Sequence, residues 1–336
     1  MNYLHYLAKF VSGTLVVLLL TFIINLIFDP LWYMGGNKVD DYNYAFDERT
    51  SKLNLVENSD FNCLILGSSR VTFIRPSEIK SATCFNSAFS RAVVEEFLPY
   101  INRLKFSGMN KLDYLIIGVD GFNFFGESKF KNIPRTAVAE SPPIIFESYL
   151  SFDTLVFSYR LFTEDANLPR FYDKNFEVDV HKSIPTFDPK HQLAGAIEGG
   201  YYPSKLSEYM EVVEVAEAQA VIFYVPPLSA WHIQDLDKKG ELENYIKAIY
   251  EFVNQGFTII DYSIISPVTK NKNNTYDGHH YLPHINSLIT SNLHQIMKGQ
   301  RPELADFGVV VNNYSFTSFV ALYKGRLAQF KQENIH

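Results

Sequence analysis

Two short stretches of this sequence carry residue types that can activate one another. Residues 64–71, Leu-Ile-Leu-Gly-Ser-Ser-Arg-Val, set Ser68 and Ser69 on a turn directly after an apolar run, where Gly67 lets the backbone bend sharply. Much later, residues 273–283 place Asp277 and His280 three apart in a loop, just before a helix started by Pro283. A serine hydroxyl is a poor nucleophile until a base takes its proton. An imidazole serving as that base needs a partner on its other nitrogen to hold its tautomer and orientation. Serine after glycine is common turn chemistry by itself; the pairing with Asp-x-x-His points to acyl transfer through a serine ester.

The same loop offers a second chemistry. Asp277 with His279, His280 and His284 could ligate a metal, since histidines four apart share a helix face, but Pro283 interrupts that face. No metal and no other cofactor is expected. Arg70 beside the serines could bind an acidic group or be paired structurally. Trp231 and His232, after Pro226-Pro227, could line an acceptor groove or simply pack a loop.

These residues need a scaffold, and the apolar pattern supplies one. Short apolar runs ending in Gly, Ser or Asn, at 62–66, 83–85, 114–118, 221–225 and 257–260, alternate with stretches of helical period. Val94, Phe97, Leu98, Ile101 and Leu104 form one such stretch; Leu206, Tyr209, Met210 and Val213 another; Ile285, Leu288, Ile289 and Ile296 a third. This alternation predicts an α/β fold with a central parallel sheet flanked by helices. Residues 125–202 break it with aromatics and prolines, and are expected to be an insertion over the carboxyl end of the sheet, where open α/β folds bind ligands. Cys63 and Cys84 fall in two of the runs and are expected to be buried small residues on neighbouring strands rather than a disulfide. In residues 301–336, a C-terminal extension, Phe316, Phe319, Val320, Tyr323, Leu327 and Phe330 are helically spaced. A docked terminal helix is the expectation there, and contact with a membrane surface the alternative.

Residues 10–28 contain no charge, enough to cross most of a hydrocarbon core as a helix. No small-x-small site follows, and Asp29-Pro30 ends the run abruptly, so an uncleaved anchor is expected rather than a signal peptide. Residues 1–9 are then expected to form a short cytoplasmic tail and 29–58 a linker, its part from residue 35 on either a linker or an irregular arm lying on the domain. Lys9 precedes the span while Asp29, Asp40 and Asp41 follow it with Lys38, a slight bias that places the globular domain of residues 59–300 outside. The formal charge of −7 gives no basic footprint for phosphates, which excludes nucleic acid as an expected partner.

Over residues 62–297 the chain resembles the SGNH (GDSL-like) hydrolase superfamily, and within it the membrane-anchored branch used in envelope polysaccharide acylation. That branch includes the D-alanine transfer protein of lipoteichoic acid synthesis and periplasmic alginate and cellulose acetylation proteins. Gly67-Ser68-Ser69 matches the Gly-Asp-Ser block, which implies Ser69 as nucleophile; Asp277-Gly278-His279-His280 matches the Asp-x-x-His block, which implies His280 as base and Asp277 as its orienter. The resemblance further implies an SGNH-like, flavodoxin-like sheet. Two blocks depart from the pattern. Cys84-Phe85-Asn86-Ser87 follows its strand, but the glycine expected near Arg91 is absent, and Gly118-Val119-Asp120-Gly121 has aspartate where the family's asparagine donates to the oxyanion. An ionised carboxylate there would oppose the reaction. Either Asp120 is turned away or protonated, or another donor serves: the Ser69 backbone, a second-block residue such as Asn86 or Arg91, or Asn123.

The function implied is O-acylation of an envelope glycan at the bacterial inner membrane, on its periplasmic or extracytoplasmic side, with the acyl group delivered by a multipass membrane O-acyltransferase. An esterase using the same three residues is the first alternative. A non-catalytic glycan-binding or assembly protein, with a degenerate site, is the second.

Overall fold

A computed structural model of the chain describes all residues except 1–2, 41, 45, 57–58, 110, 126–144, 165–168, 181–183, 191–199 and 334–336. In chain order its elements are α1 (Tyr3–Phe28), β1 (Tyr42–Tyr44), α2 (Glu48–Val56), β2 (Cys63–Leu66), β3 (Cys84–Asn86), α3 (Phe97–Phe106), β4 (Tyr114–Gly118), α4 (Ile145–Tyr149), α5 (Phe152–Phe162), β5 (Arg170–Asp173) and β6 (Val178–Val180). There follow α6 (Lys205–Ala216), β7 (Ala220–Val225), α7 (Ala230–Lys238), α8 (Leu242–Asn254), β8 (Ile259–Asp261), α9 (Pro267–Lys270), α10 (Pro283–Met297), β9 (Val309–Val310) and α11 (Phe316–Glu333). They form two compact units, Met1–Ser59 with Pro134–His181, and Asp60–Ile133 with Lys182–His336.

The first unit contains α1, which is long and apolar enough to cross a membrane and starts at Tyr3, ahead of the expected residue 10. Asp29 ends it by accepting the backbone N–H groups of Tyr33, Met34 and Gly36 at 2.9, 2.8 and 2.6 Å. Residues 29–58 are not the expected linker. β1 pairs antiparallel with β5, β5 with β6, and α2 buries Leu53 and Val56. The pairing strand lies more than a hundred residues away in sequence, so local periodicity could not reveal it. For the same reason the expected insertion divides: Pro134–His181 belongs with Met1–Ser59, whereas the chain from Lys182 onward belongs with the large sheet.

The second unit is α/β. Its sheet has the order β3-β2-β4-β7-β8-β9, parallel except for β9, which runs antiparallel to β8. β2, with four apolar residues buried throughout, is covered on both faces, as parallel strands are. All five expected runs coincide with strands. β9 was not foreseen, being too short to carry a pattern. The helices bury one stripe each: Leu242, Tyr245, Ile246, Ile249 and Phe252 on α8, and Ile285, Ile289, Leu293 and Met297 on α10. Leu288 shares the expected spacing on α10 but is 49% exposed. In α11, Phe319, Tyr323, Leu327 and Phe330 are buried, and the Tyr323 hydroxyl hydrogen-bonds Asp261 and Ser263, so the tail's apolar face docks on protein.

Along the sheet the chain steps from β2 to β3 on one side, then to β4 on the other. That reversal makes β2 and β4 the walls of a topological switch point, whose crevice lies beyond their carboxyl ends. Cys63 and Cys84 stand opposite each other on β2 and β3 and are disulfide-bonded, correcting the expectation of free thiols. The strands were legible; that their register aligns the two sulfurs was not. With the cysteines 21 positions apart in sequence, chain entropy assigns this crosslink about 3 kcal/mol.

Candidate active site

Both motifs converge on the carboxyl edge of the sheet. After β2 the chain must turn tightly: a Cβ on Gly67 would lie 2.4 Å from Val71 Cγ2, and one on Gly118, at the end of β4, 2.2 Å from the same atom. Only glycines let Val71 wedge between the two strand ends. Asn86 secures this turn. Its amide donates to the carbonyls of Val71, Thr72 and Ile74 at 3.0, 3.2 and 2.8 Å, and its oxygen accepts from Ala88 N–H. The Asn86 side chain is therefore committed to backbone groups of the turn. Within the turn, Ser68 is buried and its hydroxyl accepts the Arg70 N–H at 3.3 Å. Ser69, half-buried, points its hydroxyl at His280 Nε2, 2.8 Å away.

The histidine loop is built around Asp277. Its Oδ1 accepts the N–H groups of His279 (3.1 Å) and His280 (2.8 Å), and its Oδ2 lies 2.6 Å from His280 Nδ1. One carboxylate thus shapes the loop with one oxygen and orients the imidazole with the other. Thr275 closes the loop, donating to the His280 carbonyl and accepting from the Gly278 N–H, and the Tyr276 ring stacks on His280 at 5.3 Å. Burial would raise the Asp277 pKa, but the hydrogen bond and charge of His280 outweigh it and hold the carboxyl well below its usual range. Asp277 stays ionised wherever the protein is folded near neutrality. Asp277, His279 and His280 also form a cluster that could hold a metal, but both nitrogens of His280 are engaged, by Asp277 and Ser69. His284 is outside that cluster and exposed.

Asp120, the departure from the family pattern, forms a buried ion pair with Arg70; their side chains are 1% and 2% exposed. The guanidinium also lies over the Phe122 ring, 4.9 Å from its centroid. Burial lowers the Arg70 pKa, yet guanidinium stays charged at any physiological pH. The carboxylate that would have repelled an oxyanion is thereby matched by a positive charge from the residue next to Ser69. Arg91, where the family has glycine, holds a left-handed backbone (φ 55°) and is exposed. That conformation is one glycine adopts at no steric cost. Asn123 donates to the Tyr209 hydroxyl at 3.0 Å.

His232 is brought to the back of the loop. Ser229, which caps α7, lies 2.8 Å from His232 Nδ1; the imidazole stacks on Phe187 and sits 4.5 Å from the His279 ring. Gly278 (φ +90°) has no room for a side chain, because a Cβ would fall 2.6 Å from His232. Phe187 and Ser229 were not anticipated. Ser229 had a cap signal, directly before a helix that begins Ala-Trp-His; Phe187 lies in an aperiodic stretch without one.

Burial, reinforced by the charge of His279, pushes the His232 pKa down to about 3; burial, with the charges of His280 and Arg70, lowers His279 to about 4 despite Asp277. In an unfolded chain both titrate near 6.5, so between these values the unfolded state binds protons that the folded state refuses. Stability is therefore intact above about pH 6.5 and falls with decreasing pH, by up to about 1.4 kcal/mol per unit for His232, and by less for the more exposed His279. Thermal unfolding of the detergent-solubilised chain should show this slope between about pH 7 and 5, and His232→Gln should flatten it. An unchanged slope in the variant would remove His232 from the account.

No family model, no curated protein and no solved structure matches this chain. Its class is therefore defined by fold and site: an α/β protein with a mostly parallel sheet flanked by helices and a serine–histidine–aspartate hydrogen-bonded chain at the carboxyl end of β2, preceded by one apolar helix.

Proposed function

We propose that this chain is an SGNH-like serine O-acyltransferase that modifies an envelope glycan, held by α1 in the bacterial inner membrane with the α/β unit outside. The observation that carries the reading is the Ser69–His280–Asp277 chain, 2.8 and 2.6 Å long at its two links. Ser69 Oγ attacks the carbonyl of an acyl donor while His280 Nε2 takes the hydroxyl proton. The tetrahedral intermediate collapses, the leaving group takes that proton, and an acyl ester remains on Ser69. His280 then removes the proton of an acceptor sugar hydroxyl, whose oxygen attacks the ester; the Ser69 oxygen leaves and recovers the proton from the imidazolium. Asp277 stays ionised throughout and stabilises that imidazolium.

Three observations support the setting. The Cys63–Cys84 disulfide suits an oxidising, extracytoplasmic compartment. α1 is long and apolar enough to span a membrane, which fits an enzyme that works beside a multipass O-acyltransferase presenting the acyl group. The Arg70–Asp120 pair supports catalysis, because it matches the charge that the altered third block introduces. If water replaces the sugar, the same site is an esterase. Ester-linked acyl groups on the envelope glycan decide between them: a deletion strain should lose them if the chain is a transferase and accumulate them if it is an esterase. Unchanged content, with the intact chain abundant in the parental membrane, would contradict both.

A further inference from the structure

The first unit contains a helix whose polarity is inverted. On α5 the buried residues are Thr154, Ser158 and Leu161, two of the three hydroxylic, whereas Phe152, Val156, Tyr159 and Phe162 are 74, 37, 64 and 69% exposed. These four recur at helical spacing and form one stripe opposite the buried face. The preceding turn adds Phe146 (60%) and Leu150 (40%). A helix in water buries its apolar stripe; this one turns it outward.

Both α4 and α5 pack on α1. Phe22 stacks on Phe146 at 5.1 Å, Asn25 donates to the Tyr149 carbonyl at 2.8 Å and accepts from the Ser158 hydroxyl at 2.7 Å, and Phe28 meets Phe162 edge-on at 6.2 Å. At 1.5 Å per residue, Phe22 lies about 9 Å inside the end of α1. The helices α4 and α5 therefore run alongside the last two turns of α1, at the depth where a spanning helix leaves the hydrocarbon. Asn25, the one fully buried residue of α1, has its amide satisfied within this three-helix cluster. That is how polar groups are accommodated in apolar surroundings.

We infer that α4 and α5 form a second membrane element, a helical hairpin seated in the outer leaflet beside α1, with Phe146, Leu150, Phe152, Val156, Tyr159 and Phe162 facing lipid. The inference rests on α1 crossing the membrane. It changes the attachment from a tether that swivels about one helix to a footing of three packed helices. A footing of this kind fixes how the first unit stands on the bilayer.

Because Cys63 and Cys84 are disulfide-bonded and no other cysteine is present, single cysteines can be introduced for spin labelling of the full chain. Phe152→Cys, Val156→Cys and Tyr159→Cys would be labelled and reconstituted in phosphatidylcholine–phosphatidylglycerol vesicles, with Ile23→Cys as the membrane reference and Lys247→Cys as the aqueous one. The expected result is an oxygen-to-nickel-chelate accessibility ratio at all three positions near that of Ile23 and several-fold above that of Lys247. Ratios matching Lys247, with Ile23 shielded, would overturn the hairpin while leaving the anchor intact. A water-accessible Ile23 would overturn the anchor itself. Strong dipolar broadening between labels would show that a second copy, rather than lipid, covers the stripe, and would equally reject the inference.

Discussion

Ser69→Ala, His280→Ala and Asp277→Asn should each abolish acyl transfer, by roughly 10⁴-fold or more, while Ser68→Ala and His279→Ala lose far less. The contrast follows from position. Ser69 lies 2.8 Å from His280 Nε2, whereas the hydroxyl of Ser68 is buried and accepts a backbone N–H. His280 Nδ1 lies 2.6 Å from Asp277 Oδ2, whereas His279 Nε2 is 4.0 Å from the same oxygen. Members of such a chain act as a unit, so losing one removes nearly the whole effect. Asp277→Asn is the most demanding case, since the amide keeps its size and still reaches the loop but no longer stabilises an imidazolium. Glycan acylation in a deletion strain complemented by each variant supplies the readout, with membrane abundance followed in parallel. Comparable losses for Ser68→Ala and Ser69→Ala would contradict the assignment of the nucleophile.

Breaking the Arg70–Asp120 pair should strongly destabilise the α/β unit. Both side chains are almost fully buried, so removing one partner strands a charge in a poorly solvated site, at a cost of about 3–5 kcal/mol. For a unit of this size that is a fall in Tm on the order of 10 °C. Asp120→Asn is the informative variant because it restores the asparagine of the resembled family. If Asp120 faced the oxyanion as a lone charge, the amide would raise activity. Paired with Arg70, it should instead lower stability and leave activity level or reduced. The double variant Arg70→Met with Asp120→Leu should recover much of the lost stability, because it leaves neither charge unpaired. A rise in activity for Asp120→Asn without loss of stability would show that the pair does not shield the site.

Periodicity made the parallel sheet legible, because buried strands such as Cys63–Leu66 are continuous apolar runs and the covering helices repeat their stripes locally. Ser69, Asp277 and His280 were legible because each sits in a short stretch whose turn chemistry is local. What escaped detection depends on pairing across long separations. Cys63 meets Cys84 only through strand register, β1 finds β5 far along the chain, and Arg70 reaches Asp120 across the switch point. Cys63, Cys84, Arg70 and Asp120 were each noticed singly, and β1 and β5 not at all, because nothing in their neighbourhood named a partner. The exposed apolar stripe on α5 escaped for another reason: it lies in a stretch without a clear period, so nothing in the sequence said which face Phe152 and Phe162 share.

The central claim is that His280, held by Asp277, makes Ser69 a nucleophile. Labelling of the full-length chain in its native membrane with a serine-directed fluorophosphonate, and mapping of the adduct by peptide mass spectrometry, tests it most directly. The account predicts one adduct, on Ser69, that disappears in Ser69→Ala and His280→Ala and persists in Ser68→Ala and His279→Ala. Failure of the folded wild-type chain to react, or labelling undiminished in Ser69→Ala, would contradict it.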